Sequence, residues 1–256
     1  MRIHLFEFED QHWFPQVIRE GMMDYLRHMI SWLKFYKPCA PLIKQILEQT
    51  SGTLIVDLCA GGGGGILKMK KYLDELNCHP EIFLSDLYPN VKTYEALKLS
   101  TGGKIDFITT PVNALDVPSD LNAMRIIFSA FHHFKPAQAR KILHDAAIKN
   151  VSIGIFDSGT TGWWNILLLI LLQPLSFLLL TPFFRPFRWS RLFFTYLIPL
   201  IPLCTLWDGS VSILRFYSEK EMKQLVSETG NEKYQWNTGH VRNRIGVRVN
   251  YIIGYN

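Results

Sequence analysis

The sequence predicts an α/β protein: a doubly wound, mostly parallel sheet with helices on both faces, interrupted by an apolar helical insert. Three observations carry this. Short apolar, β-rich runs alternate with amphipathic stretches over about residues 50–160. Aspartates, asparagines and histidines recur at or just past the ends of those runs: Asp57, Asp86, Asn113, Asp116, His132, His133 and Asp157. Charge is then absent from Trp163 to Phe184, and again from Leu192 to Trp207.

Taken in order, "FPQVIREGMMDYLRHMISWL" places Val17, Ile18, Met22, Tyr25, Leu26, Met29 and Ile30 at helical spacing, and "CAPLIKQILEQT" is a second helix stopped by Ser51-Gly52. "TLIVDLCA" is a buried strand, and the helix "ILKMKKYLDEL" follows its glycines. "EIFLSDLYP" is a strand ending in Asp86, "VKTYEALKLS" a helix, and "KIDFITTPVNALDVP" a strand running into a polar loop. "MRIIFSAFHHF" is a strand with an aromatic and histidine cluster at its end, "KPAQARKILHDAAIKN" a helix, and "VSIGIFDSG" a fifth strand. Beyond the insert, "WDGSVSILRFYSEKEMKQLVSETG" contains a helix, with "WDG" read as a turn or, through Asp208, a source of a general base; "KYQWNTGH" and "RIGVRVNYIIGY" are closing strands. The domain organisation expected is a helical cap over 1–50, a core over 51–160, the insert over 161–207 and completion of the core sheet over 208–256.

Composition narrows the function classes. The formal net charge is +5 and the basic residues form no blocks, so a nucleic-acid partner is not expected; a weak attraction to anionic membrane surfaces is the more modest reading. Cys39, Cys59, Cys78 and Cys204 form no CxxC pair and no zinc spacing, which predicts reduced thiols, no metal and a cytoplasmic setting. "MRIHLFEFEDQHWFP" lacks the basic and apolar regions of a signal peptide.

The glycine run "DLCAGGGGG" asks what so much bare backbone is for. It sits between a strand and an amphipathic helix, which argues against a linker, and no Lys-Ser or Lys-Thr follows, which argues against a Walker A loop. Gly61, Gly63 and Gly64 approximate a dinucleotide fingerprint, but the position of Asp57 argues against a nicotinamide enzyme. "DLCAGGG" resembles instead the first motif of class I S-adenosylmethionine-dependent methyltransferases, with Cys59 where a glycine is usual. The resemblance covers about 50–160 and 215–256. It implies a Rossmann-like, seven-stranded sheet and S-adenosyl-L-methionine as cofactor. Asp57 would attract the cofactor's ammonium group, Cys59, Ala60, Gly61 and Gly63 would let the backbone approach it, and Asp86, followed by Leu87, would accept both ribose hydroxyls. Asn113 and Ala114, with Asp116 nearby, match the adenine loop, and "FSAFHHF", with Ser129, matches the segment near the transferred methyl group. A bacterial group within this superfamily is similar in "FEFED…WFP", "DLYPN", "SAFHHF", "TYLIPLIP" and "WDGSVSILRFYS". That closer resemblance supplies fold and cofactor but no acceptor.

Candidates for catalysis are His133, Asp208, His132 and Asp157, any of which could take a proton from a hydroxyl acceptor. Arg215 is a candidate partner for an acidic group. The insert admits three readings. A spanning hairpin is the first, against which stand Gln173-Pro174, Pro199, Pro202 and the far-side placement of Arg185, Arg188 and Arg191. The second is a monotopic or re-entrant element with those arginines and Trp163, Trp164 and Trp189 at the headgroups. The third is a lid that binds a greasy acceptor. The second and third together fit the composition best, and imply a lipophilic or membrane-derived small-molecule acceptor. The alternative function is a membrane-associated binding or assembly protein that keeps the fold without catalysis.

Overall fold

The computed structural model describes residues 2–159, 162–185, 187–229 and 233–256. The chain forms two compact units. One comprises Leu33–Gly159 with Tyr217–Asn256, the other Met1–Trp32 with Thr160–Phe216. The expected boundary at 160/161 lies outside the described residues. The other divisions fall at 32/33 and 216/217, so the two helices of the expected cap separate into different units.

The first unit is the sheet domain. Its strands are β1 (Leu54–Asp57), β2 (Glu81–Leu84), β3 (Ile105–Phe107), β4 (Met124–Phe128), β5 (Ile153–Ser158), β6 (Gln235–Arg242) and β7 (Arg248–Tyr255). They form one sheet in the order β3-β2-β1-β4-β5-β7-β6. β1 to β5 are parallel; β7 is antiparallel to both β5 and β6. The central strands are short and largely buried, β4 "MRIIF" throughout, because helices cover both faces. The helices packed around the sheet are named by position: Ala40–Gln49, Gly64–Glu75, Val91–Ser100, Pro136–Ile148 and Glu219–Ser227. The core joins Val56, Ile127, Ile155 and Ile252 of the sheet to Ile142, Leu143 and Met222 of two helices. Strand order reverses between β1 and β4, which opens a crevice at their carboxyl ends.

The second unit is helical. Here α1 is Gln16–Trp32, α2 the apolar Trp163–Leu180 with a tight turn over Thr181–Phe183, α3 the short Trp189–Leu192 running into a π-helical turn (Phe193–Leu197), and α4 Leu200–Arg215. Its core is Phe14, Ile18, Met22, Tyr25, Phe177, Phe184 and Ile201. The "WDG" segment is not a turn. α4 runs through it unbroken, and Gly209 lies where α2 comes close: a Cβ there would sit 3.0 Å from Leu169 Cδ2. Residues 3–10, an irregular stretch ending in a turn over 8–10, form a strap tied to α4. Ile3 N–H donates to the Leu214 carbonyl, Trp207 Nε1 to the Phe6 carbonyl at 3.0 Å, and Arg215 Nε to the Leu5 carbonyl at 3.0 Å.

The arginines expected at headgroups divide. Arg191 is buried, donating to Asp24 at 2.6 Å and to the Phe184 carbonyl at 2.7 Å, so its placement at a membrane surface is corrected: the carboxylate of α1 draws it inward. Arg188 pairs with Glu20, and Arg185 is exposed.

Candidate cofactor and active site

Asp57 closes β1 opposite Leu84 of β2 and Ile126 of β4, at the strand-order reversal. It is buried, and its Oδ1 has no hydrogen-bond partner among the described residues. Burial, and then the charge of Asp86, hold its carboxyl well above the usual range. A buried carboxylate oxygen with nothing to accept costs free energy unless a donor or cation arrives.

The glycine run is arranged around it. Cys59 has φ +60° and Ser129, just past β4, φ +50°; these two non-glycine residues stand in left-handed backbone beside the reversal point, a strain that such sites collect. Gly61 donates its N–H to Asp86 Oδ2 at 2.9 Å. Gly63 has φ +69° at the start of helix Gly64–Glu75, and a Cβ there would lie 2.5 Å from Leu97 Cδ1, so glycine is required by both conformation and packing. Ala60 N–H donates to the Ser85 carbonyl and Tyr88 N–H to Asp86 Oδ1 at 2.9 Å, fixing the turn that carries Asp86 and exposed Leu87. Val112 N–H donates to the Asp86 carbonyl, which brings exposed Asn113 and buried Ala114 to the same edge. Asp116, by contrast, is occupied by Lys149 at 3.1 Å.

A second group lies past β4 and β5. His132 Nδ1 is 2.9 Å from Asp157 Oδ1, both buried. Asp157 Oδ2 has no hydrogen-bond partner among the described residues. His133 is half-buried, its ring 4.4 Å from that of His132. The Tyr36 hydroxyl bonds the Ser129 hydroxyl, and its ring lies 4.8 Å from Phe128; burial pushes its phenol well above the ordinary range. Tyr94 is buried near Asp86, Asp57 and Cys59, and burial raises its phenol likewise. Sequence reasoning missed both tyrosines.

The structure therefore gathers Asp57, Cys59, Ala60, Gly61, Gly63, Asp86, Leu87, Asn113 and Ala114 at the ends of β1 to β3, and Ser129, His132, His133 and Asp157 at the ends of β4 and β5. Asp208 belongs to the helical unit. There its two oxygens accept from Phe8 N–H at 2.7 Å and Glu9 N–H at 3.1 Å. Arg215 meets Glu7 at 3.1 Å and Asp10 at 3.2 Å. All four cysteines are free, and burial raises the Cys59 thiol far above the range of a reactive thiolate.

This topology and site define the fold of class I S-adenosylmethionine-dependent methyltransferases. No family model and no curated protein matches the sequence at a significant level. Solved structures do match. The plantazolicin methyltransferase in complex with SAH is 12% identical with a TM-score of 0.58, covering 97% of this chain and 94% of that one. An O-methyltransferase from neocarzinostatin biosynthesis, in complex with SAH and 1,4-dihydroxy-2-naphthoic acid, is 11% identical with a TM-score of 0.54, covering 94% and 58%. A putative O-methyltransferase from Nostoc punctiforme is 15% identical with a TM-score of 0.53, covering 95% and 61%. The chain thus spans about three-fifths of the length of the last two. At these identities the likeness establishes the fold.

Proposed function

We propose that this chain is an S-adenosyl-L-methionine-dependent methyltransferase acting on a lipophilic small molecule at the cytoplasmic face of a membrane. The observation that carries the cofactor assignment is the buried, unmatched Oδ1 of Asp57 at the strand-order reversal, with Asp86 held beside it by the Gly61 amide. Asp57 suits the cofactor's ammonium group, the backbone over Cys59–Gly63 its amino-acid moiety, Asp86 the ribose hydroxyls, and Asn113 with Ala114 the adenine edge. When bound, the cofactor supplies an electrophilic methyl group on a sulfonium.

The protein's own share is orientation and proton removal. With Nδ1–H donating to Asp157, His132 has its basic lone pair on Nε2, the arrangement a general base needs toward a hydroxyl acceptor. His133 adjoins it. The 1,4-dihydroxy-2-naphthoic acid bound in the neocarzinostatin enzyme's complex supports a small-molecule acceptor here. Lipophilicity and membrane contact are supported by α2, which carries no charge and exposes most of its leucines.

Calorimetry with S-adenosylmethionine and SAH tests the reading. Micromolar binding is expected, weakened at least about tenfold in Asp86→Ala, the worth of one lost charge-assisted contact. No binding by folded wild-type protein would overturn the cofactor assignment.

A further inference from the structure

We infer that α2 lies in the plane of an anionic phospholipid surface, its outer face in a single leaflet, and does not cross the bilayer. This rests on the membrane part of the proposed function and names its partner and geometry.

The first observation is the division of α2 into two faces. Gln173 and Phe177 are buried, and so is Thr181 a turn further on. Tyr25 of α1 stacks on Phe177 with ring centroids 3.9 Å apart and bonds Ser176 at 2.7 Å. On the opposite side stand Trp164, Leu168, Leu171, Leu175 and Leu179, each at least half exposed, within a wider exposed apolar surface that takes in Trp163, Leu167, Ile170, Leu172 and Leu178. Their spacing puts the first five within about a quarter-turn of one another on the helix. A continuous apolar stripe of this length, open to solvent, requires a partner.

The second observation decides against crossing. At 21 residues, Trp163–Phe183 has the length to span. Its main neighbour in the unit, however, is α4, which sets Gly209 against Leu169 and carries buried Asp208 one residue away. Charged groups are expensive in hydrocarbon. The chain must also return to the side it left, because β5 before the insert pairs with β7 after it. Among the described residues the return path is broken: Trp189–Leu197 and Leu200–Arg215 meet at 79°. The far half of α4 is clasped by the strap, with Asp208 and Arg215 bonded to its backbone and to Glu7 and Asp10.

The third observation names the lipid. Where α2 ends, Arg27, Arg185 and Arg188 are at least partly exposed, and among the described residues the carboxylates bonded to Arg27 and Arg188 are Glu20 and Asp24, the latter shared with buried Arg191. Arg185 is exposed beside exposed Phe183, Phe187 and Trp189. Aromatic rings flanked by a cationic excess match an anionic headgroup layer. A second copy brought face to face would set two like-charged rims together, which disfavours it as the occupant.

The test uses the full chain and vesicles of phosphatidylcholine with or without phosphatidylglycerol. Binding at least tenfold tighter to the anionic vesicles is expected, falling severalfold in Arg185→Glu and lost in Leu171→Glu/Leu175→Glu. A fluorescent amino acid placed genetically at position 164, 171 or 179 then reports depth through lipids carrying quenchers at shallow or deep acyl positions. One shallow depth at all three sites is expected. A depth that runs progressively toward the bilayer centre would overturn the in-plane geometry alone. Equal binding to neutral vesicles would overturn the anionic partner. No vesicle binding, with a concentration-dependent dimer in solution, would remove the membrane reading altogether. SAH binding to Leu171→Glu/Leu175→Glu, measured in parallel, confirms that the variant is folded and keeps the cofactor assignment separate.

Discussion

Asp24→Ala should destabilise the helical unit by about 3–5 kcal/mol, the cost of leaving a buried charge without its partner. The figure follows from where the charges sit. Asp24 is 6% exposed on α1 and accepts from Arg27 at 2.5 Å and Arg191 at 2.6 Å. The Arg191 side chain is 1% exposed and also donates to the Phe184 carbonyl. Burial raises the Asp24 carboxyl despite both arginines, and lowers the Arg191 guanidinium; each ion is there against its own desolvation. Glu20, which pairs with Arg188 while both are about one-third exposed, is the control: Glu20→Ala should cost about 0–1 kcal/mol. Asp24→Leu/Arg191→Met, which removes both charges, should recover most of the loss. Urea unfolding followed by tryptophan fluorescence is the assay. Six of the seven tryptophans belong to the helical unit, and Trp236→Phe removes the seventh, so the signal reports that unit alone. A loss under about 1 kcal/mol for Asp24→Ala, or one equal to that of Glu20→Ala, would refute the reasoning, because it would show Arg191 to be solvated.

Three further outcomes follow. Burial holds the Asp208 carboxyl up to about 7; since the folded state then binds its proton more tightly than the unfolded chain, stability should fall as pH rises from about 4 through 7, and Asp208→Asn should flatten that limb in thermal melts. Gly63→Ala should cost about 1–2 kcal/mol through its φ of +69°, and a double-mutant cycle with Leu97→Ala, which itself costs about 2–5 kcal/mol as a buried leucine, should show a coupling no larger than the share due to the clash, as chemical denaturation would show. Asp157→Asn should leave SAH affinity within about threefold but lower transfer of labelled methyl to hydroxyl acceptors in a lipid extract by roughly 10²-fold; loss of SAH binding instead would make Asp157 structural.

Much of the sheet was legible because its strands are buried on both faces and read as unbroken apolar runs closed by an Asp or a Gly. β1 and β5 are examples, and the same punctuation placed Asp57 and Asp157 at strand ends. What escaped was whatever depends on distant partners. Tyr36 meets Ser129 across 93 positions, and Arg191 meets Asp24 across 167; no local pattern announces either. "WDG" reads locally as a source of a general base through Asp208 or as a turn, since Asp-Gly favours one. In the structure α4 runs through it, with Leu169 of α2 packed against Gly209.

The buried carboxylates separate structural from functional acids more sharply than position in the chain does. Asp24 and Asp208 have both oxygens engaged, by guanidiniums in one case and by strap amides in the other. They complete the helical unit and leave no oxygen unmatched for chemistry. The motifs "FEFED" and "WDGSVSILR", which share no function by sequence, explain each other here: Trp207, Asp208, Ser212 and Arg215 bind the strap that carries Glu7 and Asp10. Asp57 and Asp157 differ, since each keeps one buried oxygen with no partner among the described residues. A fold tolerates such an atom where a ligand or a proton is to be handled. Both lie at carboxyl ends of strands in the sheet domain, which is where the proposed function places the chemistry.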